Sequence, residues 1–369
     1  MRVVFVGGGS GGHLFPAVAI AQVLLSQNPE SRFLFLTSRR AVDLQILAAS
    51  GLCDSSLQVA PYVSLSSTRG FWKSVMRSPS LWRSLRQARR LLKSFQPEVV
   101  VGLGALASVP GVVAASRLGL PVVLLEQNCL PGKATRVLAR RARLTVFGLP
   151  VPEDQLHRWP SPVQTCGTPV RIGIRTLAEL PVAASPERNR ILILGGSQGS
   201  HSVNQLVATA FGIGLQLPPG WEIVHQTGEA QVAQIRDQYK AHGIAARVEA
   251  FLSDMPLELA AAEIVVSRAG AVSIQELACA GVPSILIPLS TAADNHQMLN
   301  SRLLERSGAA FVIDEKKSDA AHTFRAALQQ LLHEPDHRLR MSHAIRSFAT
   351  PDAAIEIARL LTDIAGRDF

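Results

Sequence analysis

The sequence is poor in cysteine, in aromatic residues and, over one long window, in acidic charge. Its four cysteines, Cys53, Cys129, Cys166 and Cys279, are scattered with no Cys-x-x-Cys pair. That excludes a disulfide framework and a cysteine-built zinc site, and it suits reduced, mostly buried thiols of a cytoplasmic protein. No secretory signal is read at the start, because a strand pattern begins at residue 2. The run Val99–Ser116 contains no charge and has the length of a membrane span. Gly102, Gly104, Pro110 and Gly111 interrupt it, however, and the reading is a strand, a loop and a buried helix. Between Asp54 and Glu98 there is no acidic residue at all.

What is present is apolar and basic. Of the 369 residues, 47% are hydrophobic, which suits buried parallel strands and argues against disorder. The length implies two domains rather than one core. The net charge of +9 favours polyanions, phosphorylated ligands or an anionic membrane surface, although solubility alone also accounts for excess arginine. No nucleic-acid motif accompanies the charge, so a nucleic-acid partner is not expected.

The first half alternates apolar strands with amphipathic helices. Strands are expected at Arg2–Val6, Phe33–Thr37, Leu57–Ala60, Glu98–Gly102, Val122–Glu126 and Leu144–Phe147, and a helix at Pro16–Ser26 with the proline in its first turn. This alternation predicts a parallel sheet covered on both faces. From Gly148 to Pro169 five prolines interrupt any regular element, marking an interdomain connection. The pattern then restarts, with strands expected at Ile191–Leu194, Glu222–Gln226, Arg247–Ala250, Ile264–Ser267, Ser284–Ile287 and Ala310–Ile313. Asp352–Ile364 reads as a last amphipathic helix. The expected fold is α/β, two Rossmann-like domains facing across a cleft. The first domain takes residues 1–160, the second 161–349, and the helix of about 350–369 packs back on the first. Ligands of such sheets sit at the carboxyl ends of the strands.

Each half opens with a strand running into a glycine loop. The first loop is Gly7-Gly8-Gly9-Ser10-Gly11-Gly12-His13. It contains Gly-x-Gly-x-x-Gly, but a site for NAD would want an acid about 20 residues further on. The second strand ends instead in Thr37-Ser38-Arg39-Arg40, which leaves an NADP-dependent oxidoreductase as an alternative. The second loop, Gly195-Gly196-Ser197-Gln198-Gly199-Ser200, lacks the Lys-[Ser/Thr] ending of a P-loop. It can hold a diphosphate by backbone N–H groups and the Ser197 hydroxyl, or be no more than a tight turn. The segment Ser267–Ala278 runs from a strand through Gly270 into a helix. There Glu276 offers two acceptor oxygens to a ribose diol, or is an ordinary surface acid. Polar residues at Asp294–Asn300 suit sugar hydroxyls.

Taken together, the first glycine loop with His13, Glu126-Gln127-Asn128, Gly167-Thr168-Pro169-Val170-Arg171, the second glycine loop, Ser267–Ala278 and Asp294–Asn300 occur in an order that resembles the MurG family of bacterial peptidoglycan glycosyltransferases. The resemblance covers nearly the whole chain. It implies inverting transfer of N-acetylglucosamine from UDP-GlcNAc to lipid I, the undecaprenyl-diphospho-muramoylpentapeptide acceptor, with lipid II as product and no cofactor. It places the UDP-GlcNAc donor on Ser10, Gly11, Gly12, Asn128, Arg171, Ser197, the Leu252 backbone, Ala271, Val272, Ser273, Ile274, Gln275, Glu276 and Gln297. Two departures stand out: Gly104-Ala105-Leu106 replaces the family's Gly-Gly-Tyr, and Asn295-His296 stands where an Arg-Gln pair is common.

Such chemistry needs a base for the attacking hydroxyl, and histidine, with an ordinary pKa near 6.5, makes His13 the candidate, unless it only braces its loop. No Asp-x-Asp pair occurs, so no metal site is expected. A polyprenyl acceptor requires a membrane surface. The acid-free window supplies Phe71, Trp72 and Lys73, then Trp82, Arg83 and Arg86 within a helical pattern from Leu81 to Lys93. Aromatic and basic residues of this kind suit an anionic bilayer interface, here the inner face of the cell membrane, although the same helix can simply pack on the sheet. Transfer of a UDP-sugar to diacylglycerol, and a non-catalytic membrane-docking scaffold, remain the alternative functions.

Overall fold

The computed structural model describes residues 1–8, 11–37, 40–52, 56–61, 79–181, 189–196, 199–292 and 295–366. The chain divides into two compact units, Met1–Arg171 with Asp352–Phe369, and Ile172–Pro351.

The first unit is built on a seven-stranded sheet in the order β3-β2-β1-β4-β5-β6-β7. The strands are β1 (Arg2–Val6), β2 (Arg32–Thr37), β3 (Leu57–Pro61), β4 (Val99–Gly102), β5 (Val122–Glu126), β6 (Leu144–Phe147) and β7 (Val163–Thr165). Every pairing is parallel, with Val3 opposite Phe33 on one side and Val99 on the other. Because successive side chains point to opposite faces, the near-continuous apolar strands feed two cores. Val3, Phe5, Phe33, Phe35, Val99 and Val101 pack with the helix Gly11–Gln27 and with Ile357, Ala358 and Leu361 of the C-terminal helix Ala353–Ala365. Val4, Val6, Leu34, Leu36 and Val100 pack with the helices Pro79–Phe95 and Val109–Arg117.

Three sequence expectations change here. Pro16 lies inside the helix Gly11–Gln27 rather than in its first turn, because the helix already starts at Gly11, directly behind the glycine loop. The stretch from Gly148 to Pro169 is not wholly irregular. Glu153–Leu156 is a short helix, and β7 completes the sheet at its edge, where Pro162 serves as an acceptor for the Thr145 N–H at 2.9 Å. With β7 in the first sheet, the unit boundary falls at Arg171 rather than near residue 160. Val99–Ser116 is a strand, a 3₁₀ turn (Leu106–Ser108) and a buried helix. Among the described residues no helix is long and apolar enough to cross a membrane.

The second unit carries a six-stranded sheet in the order β10-β9-β8-β11-β12-β13. These are β8 (Arg190–Leu194), β9 (Glu222–Gln226), β10 (Ala246–Glu249), β11 (Ile264–Ser267), β12 (Ser284–Leu286) and β13 (Ala310–Val312). All are parallel. One face packs Ile191, Ile193, Ile223, Ile264 and Val266 against Val203, Val207 and Phe211 of the helix His201–Gly212 and Phe324, Leu328 and Leu331 of the helix Ala320–His333. Parallel order brings all carboxyl strand ends to one rim, and the loops there carry the candidate residues.

The helix Pro79–Phe95 separates its residues by face. Leu81, Leu85, Ala88 and Leu92 are buried on the sheet, so they are not a membrane-facing stripe. Trp82 is 51% exposed, and Arg83, Arg86, Arg89, Arg90 and Lys93 are exposed with it. At 100° per residue, Trp82, Arg86, Arg89 and Lys93 share one outward face. Phe71, Trp72 and Lys73 lie outside the described residues. Cys129, Cys166 and Cys279 are buried free thiols. Burial pushes Cys166 up to about 11, and neighbouring Glu356 adds to the rise. Cys53 lies outside the described residues.

Candidate active site

In the first unit the glycine loop leaves β1 and enters the helix Gly11–Gln27. Its described start, Gly7, has φ +146° and no room for a side chain, since a Cβ would stand 2.8 Å from that of Leu103. Gly11 likewise meets the Phe15 ring, 2.8 Å from a would-be Cβ. Gly12 is exposed and His13 half-buried in the first turn, at the positive end of the helix dipole. The loop after β4 borders the imidazole: a Cβ on Gly104 would stand 3.7 and 3.8 Å from Cδ2 and Nε2 of His13. The Arg171 guanidinium lies 4.8 Å from the Phe15 ring centroid, a cation–π contact that holds it beside the same helix end. The structure therefore gathers Gly11, Gly12, His13 and Arg171. Ser10 lies outside the described residues.

Asn128 follows β5, two strands away from β1. Its side chain is fixed by Glu126, a buried acid at the strand end. Glu126 Oε1 accepts from Asn128 Nδ2 at 2.9 Å and from its N–H at 3.3 Å. Oε2 accepts from the Gly132 N–H at 3.0 Å and Thr135 Oγ1 at 2.6 Å. Glu126 thus builds the loop that presents Asn128.

The family departure at Gly104-Ala105-Leu106 has a backbone consequence. Ala105 adopts φ 55° and ψ 171°, a conformation that glycine enters freely and an L side chain only under strain of about 1–3 kcal/mol. Ala105→Gly is expected to raise stability by about 1 kcal/mol, read as a higher urea midpoint at unchanged slope. A lower midpoint would contradict the strain.

In the second unit the second glycine loop follows β8. Ser197 and Gln198 lie outside the described residues, but both ends of the loop are clamped. Gln226, at the end of β9, donates from Nε2 to the Gly196 carbonyl at 2.6 Å, and its Oε1 accepts the Leu252 N–H at 3.0 Å. Leu252 is buried and its N–H is committed to Gln226, which leaves its carbonyl as the backbone group for a ligand. Gly199, at φ +75°, lies so close to β9 that a Cβ would stand 2.1 Å from the Thr227 carbonyl oxygen.

The helix Ala271–Ala280 starts behind Gly270 at the end of β11. The N–H groups of Ala271, Val272 and Ser273 have no carbonyl to bond within the helix and form an anion-binding end. The run Ala271–Glu276 is divided by the helix period. Ile274 and Gln275 are turned into the core, and Gln275 Nε2 donates to the Phe348 carbonyl at 3.3 Å. Ser273 and Glu276 are half-buried. The side chains of Ile274 and Gln275 are therefore packing residues, and only their backbone remains for a ligand. Gln297, in the first turn of the helix His296–Arg306, accepts the Leu289 N–H at 2.9 Å, which fixes the loop after β12. The residue before that helix, Asn295, sits at φ 57°, a left-handed conformation that asparagine tolerates better than arginine.

Sequence reasoning takes in Arg268 only as part of the Ser267–Ala278 segment and Ser200 only as part of the second glycine loop, and joins neither to Glu315. Arg268 Nη1 donates to Glu315 Oε2 at 2.8 Å and to the Ile287 carbonyl at 3.0 Å, and Nη2 to Ser200 Oγ and Ser202 Oγ, both at 2.6 Å. Glu315 Oε1 accepts the Ser290 N–H at 2.9 Å. Burial raises the Glu315 carboxyl, but the bonds from Ser290, Ser202 and Arg268 together outweigh it and hold Glu315 below its ordinary value. This one ion pair ties the ends of β8, β11, β12 and β13. A charged residue directly after an apolar strand is the only trace Arg268 leaves in the sequence.

Residues 3–146 match the glycosyltransferase family 28 N-terminal domain, and residues 190–357 its C-terminal domain. A protein of Anaeromyxobacter sp. (strain Fw109-5), named UDP-N-acetylglucosamine--N-acetylmuramyl-(pentapeptide) pyrophosphoryl-undecaprenol N-acetylglucosamine transferase, is 34% identical over 372 residues, covering 100% of this chain and 94% of its own. The protein of the same name from Sorangium cellulosum (strain So ce56) is 36% identical over 370 residues, covering 99% and 89%. The crystal structure of Acinetobacter baumannii MurG superposes with a TM-score of 0.76 at 24% identity, covering 98% of this chain and 99% of that one.

Proposed function

The chain belongs to glycosyltransferase family 28, and on that premise we propose that it transfers N-acetylglucosamine from UDP-GlcNAc to the muramoyl 4-hydroxyl of lipid I, forming lipid II for peptidoglycan synthesis. The observation that carries this reading is the end-to-end likeness, at about a third identity, to transferases named for that reaction.

The second unit holds the donor. The diphosphate lies against the helix end at Ala271–Ser273 and the glycine loop with Ser197, the ribose diol on Glu276, the uracil by the Leu252 backbone and the sugar by Gln297. In the first unit His13 takes the proton of the attacking hydroxyl. The hydroxyl oxygen forms the new bond to the anomeric carbon as the bond to the diphosphate breaks, with inversion, and UDP leaves. Charge developing on the diphosphate is met by helix N–H groups and Arg171. Asn128, held by Glu126, and the Gly11–Gly12 loop complete the donor contacts.

The test is transfer of radiolabelled GlcNAc to lipid I, with diacylglycerol as a parallel acceptor and with and without chelator. Absence of product with a verified lipid I, or product on diacylglycerol alone, would overturn the reading. Glu276→Ala is expected to weaken UDP binding by about 1–3 kcal/mol, the worth of hydrogen bonds to a charged acceptor. Calorimetry with unchanged affinity would remove Glu276 from the ribose.

We infer that the protein sits peripherally on the inner face of the cell membrane, a reading supported by the exposed Trp82 and the arginines around it. A basic residue near an anionic surface contributes about 1 kcal/mol. Arg83→Ala combined with Arg86→Ala is therefore expected to lower partition onto phosphatidylglycerol vesicles about 30-fold, and sedimentation with unaltered partition would exclude this face.

A further inference from the structure

Behind the second glycine loop runs a buried polar chain that no step of the transfer uses. Asn204, on the helix His201–Gly212, is fully buried. Its Nδ2 donates to the Thr227 carbonyl at 3.0 Å and to Gln231 Oε1 at 2.7 Å. Its Oδ1 faces His225 Nε2 at 3.0 Å, and His225 Nδ1 faces the Tyr239 hydroxyl at 2.8 Å. The polarity of the chain follows from its fixed end. A backbone carbonyl only accepts, so the Asn204 amide nitrogen must point to Thr227 and its oxygen to His225. His225 Nε2 must then carry the proton, and Nδ1 accepts from Tyr239. Burial pushes His225 down to about 3, so the ring stays neutral and the arrangement is kept at any working pH.

The Thr227 carbonyl is also the atom that Gly199 rests on, with no room for a side chain between them. The amide that grips this carbonyl therefore sets the height of the glycine loop. We propose that Asn204 is a positioning residue for the donor diphosphate, fixing the Thr227 carbonyl beneath Gly199, with His225 and Tyr239 locking its carboxamide in the one orientation that can do so. The proposal rests on the second glycine loop holding the diphosphate.

Buried polar chains also occur simply to satisfy a core, and the two roles differ in what they move. A positioning role shifts donor binding and spares the acceptor. Asn204→Ala is expected to raise the Kd of UDP and the KM for UDP-GlcNAc about tenfold, with kcat and the KM for lipid I within about threefold, since a hydrogen bond of this kind carries roughly a factor of ten. His225→Leu, which leaves Oδ1 without a donor, is expected to do the same. His225→Gln restores an N–H near the position of Nε2 and is expected to return UDP affinity to within about threefold of the unaltered protein.

Folding is checked by circular dichroism below the lowest melting temperature of the set. If Asn204→Ala does not fold, the Leu and Gln variants at His225 decide the matter between them. UDP affinity unchanged in folded Asn204→Ala, or a His225→Gln variant as weak as His225→Leu, would overturn the proposal. So would a fall in kcat at constant Kd. Failure of the unaltered protein to bind UDP is a separate result, which would overturn the donor assignment itself.

Discussion

His13→Ala is expected to lower kcat for GlcNAc transfer by about two to four orders of magnitude, the usual worth of a positioned general base, while UDP affinity stays within about threefold. The imidazole sits half-buried in the first turn of its helix, bordered by the side-chain-free Gly104, with Arg171 held by Phe15 at the same helix end. An alanine keeps the helix and removes the only acid–base group of that turn. The loss must therefore appear in turnover. Single-turnover assays with saturating donor and acceptor separate this from weakened binding. Turnover within tenfold of normal would leave His13 as a brace for its loop and require another base.

Gly199→Ala is the second large effect. The new Cβ would stand 2.1 Å from the Thr227 carbonyl oxygen, and the residue is held at φ +75°. Backbone strain costs about 1 kcal/mol, and overpacking against a backbone atom that cannot swing aside adds about 1–3 kcal/mol. Relief comes only by lifting the loop from β9. The variant is expected to lose about 3 kcal/mol of stability in the second unit, together with measurable UDP binding. Gly196→Ala is the internal control. Gly196 has a similar φ of +90° but no atom within 4 Å of a would-be Cβ, so about 1 kcal/mol of strain is expected alone. Equal losses at the two positions, in parallel urea titrations, would show that conformation rather than contact with Thr227 dominates.

Most strands were legible because buried parallel strands are written as short apolar runs. Val3–Val6, Val122–Leu125 and Ile191–Leu194 are read without any three-dimensional help. β7 was not legible: three residues, Val163-Gln164-Thr165, carry no readable period, and the surrounding prolines argue for a loop. They belong to a strand because an edge position needs only one ladder partner. The helix Pro79–Phe95 was legible as amphipathic, but its two apolar components were not separable. Leu81 and Trp82 are adjacent in sequence and lie on opposite sides of the burial boundary. At the candidate site the glycine loops, Glu276 and Arg171 stand out as motifs. Arg268, Glu315, Gln226 and Asn204 do not, because their meaning lies in partners between 19 and 68 residues away, and spacing in the chain says nothing about such pairs.

The C-terminal helix Ala353–Ala365 belongs to the first unit, while the second unit is one uninterrupted segment, Ile172–Pro351. This has a consequence for biosynthesis. As the chain leaves the ribosome, every strand and helix of the second unit is available before the last helix of the first has been made. The helix Gly11–Gln27 and β4 must wait without the partner that Ile357, Ala358 and Leu361 of the last helix later provide. The nascent first unit therefore carries an uncovered apolar face through the synthesis of its neighbour, and it is the part that a chaperone would be drawn to.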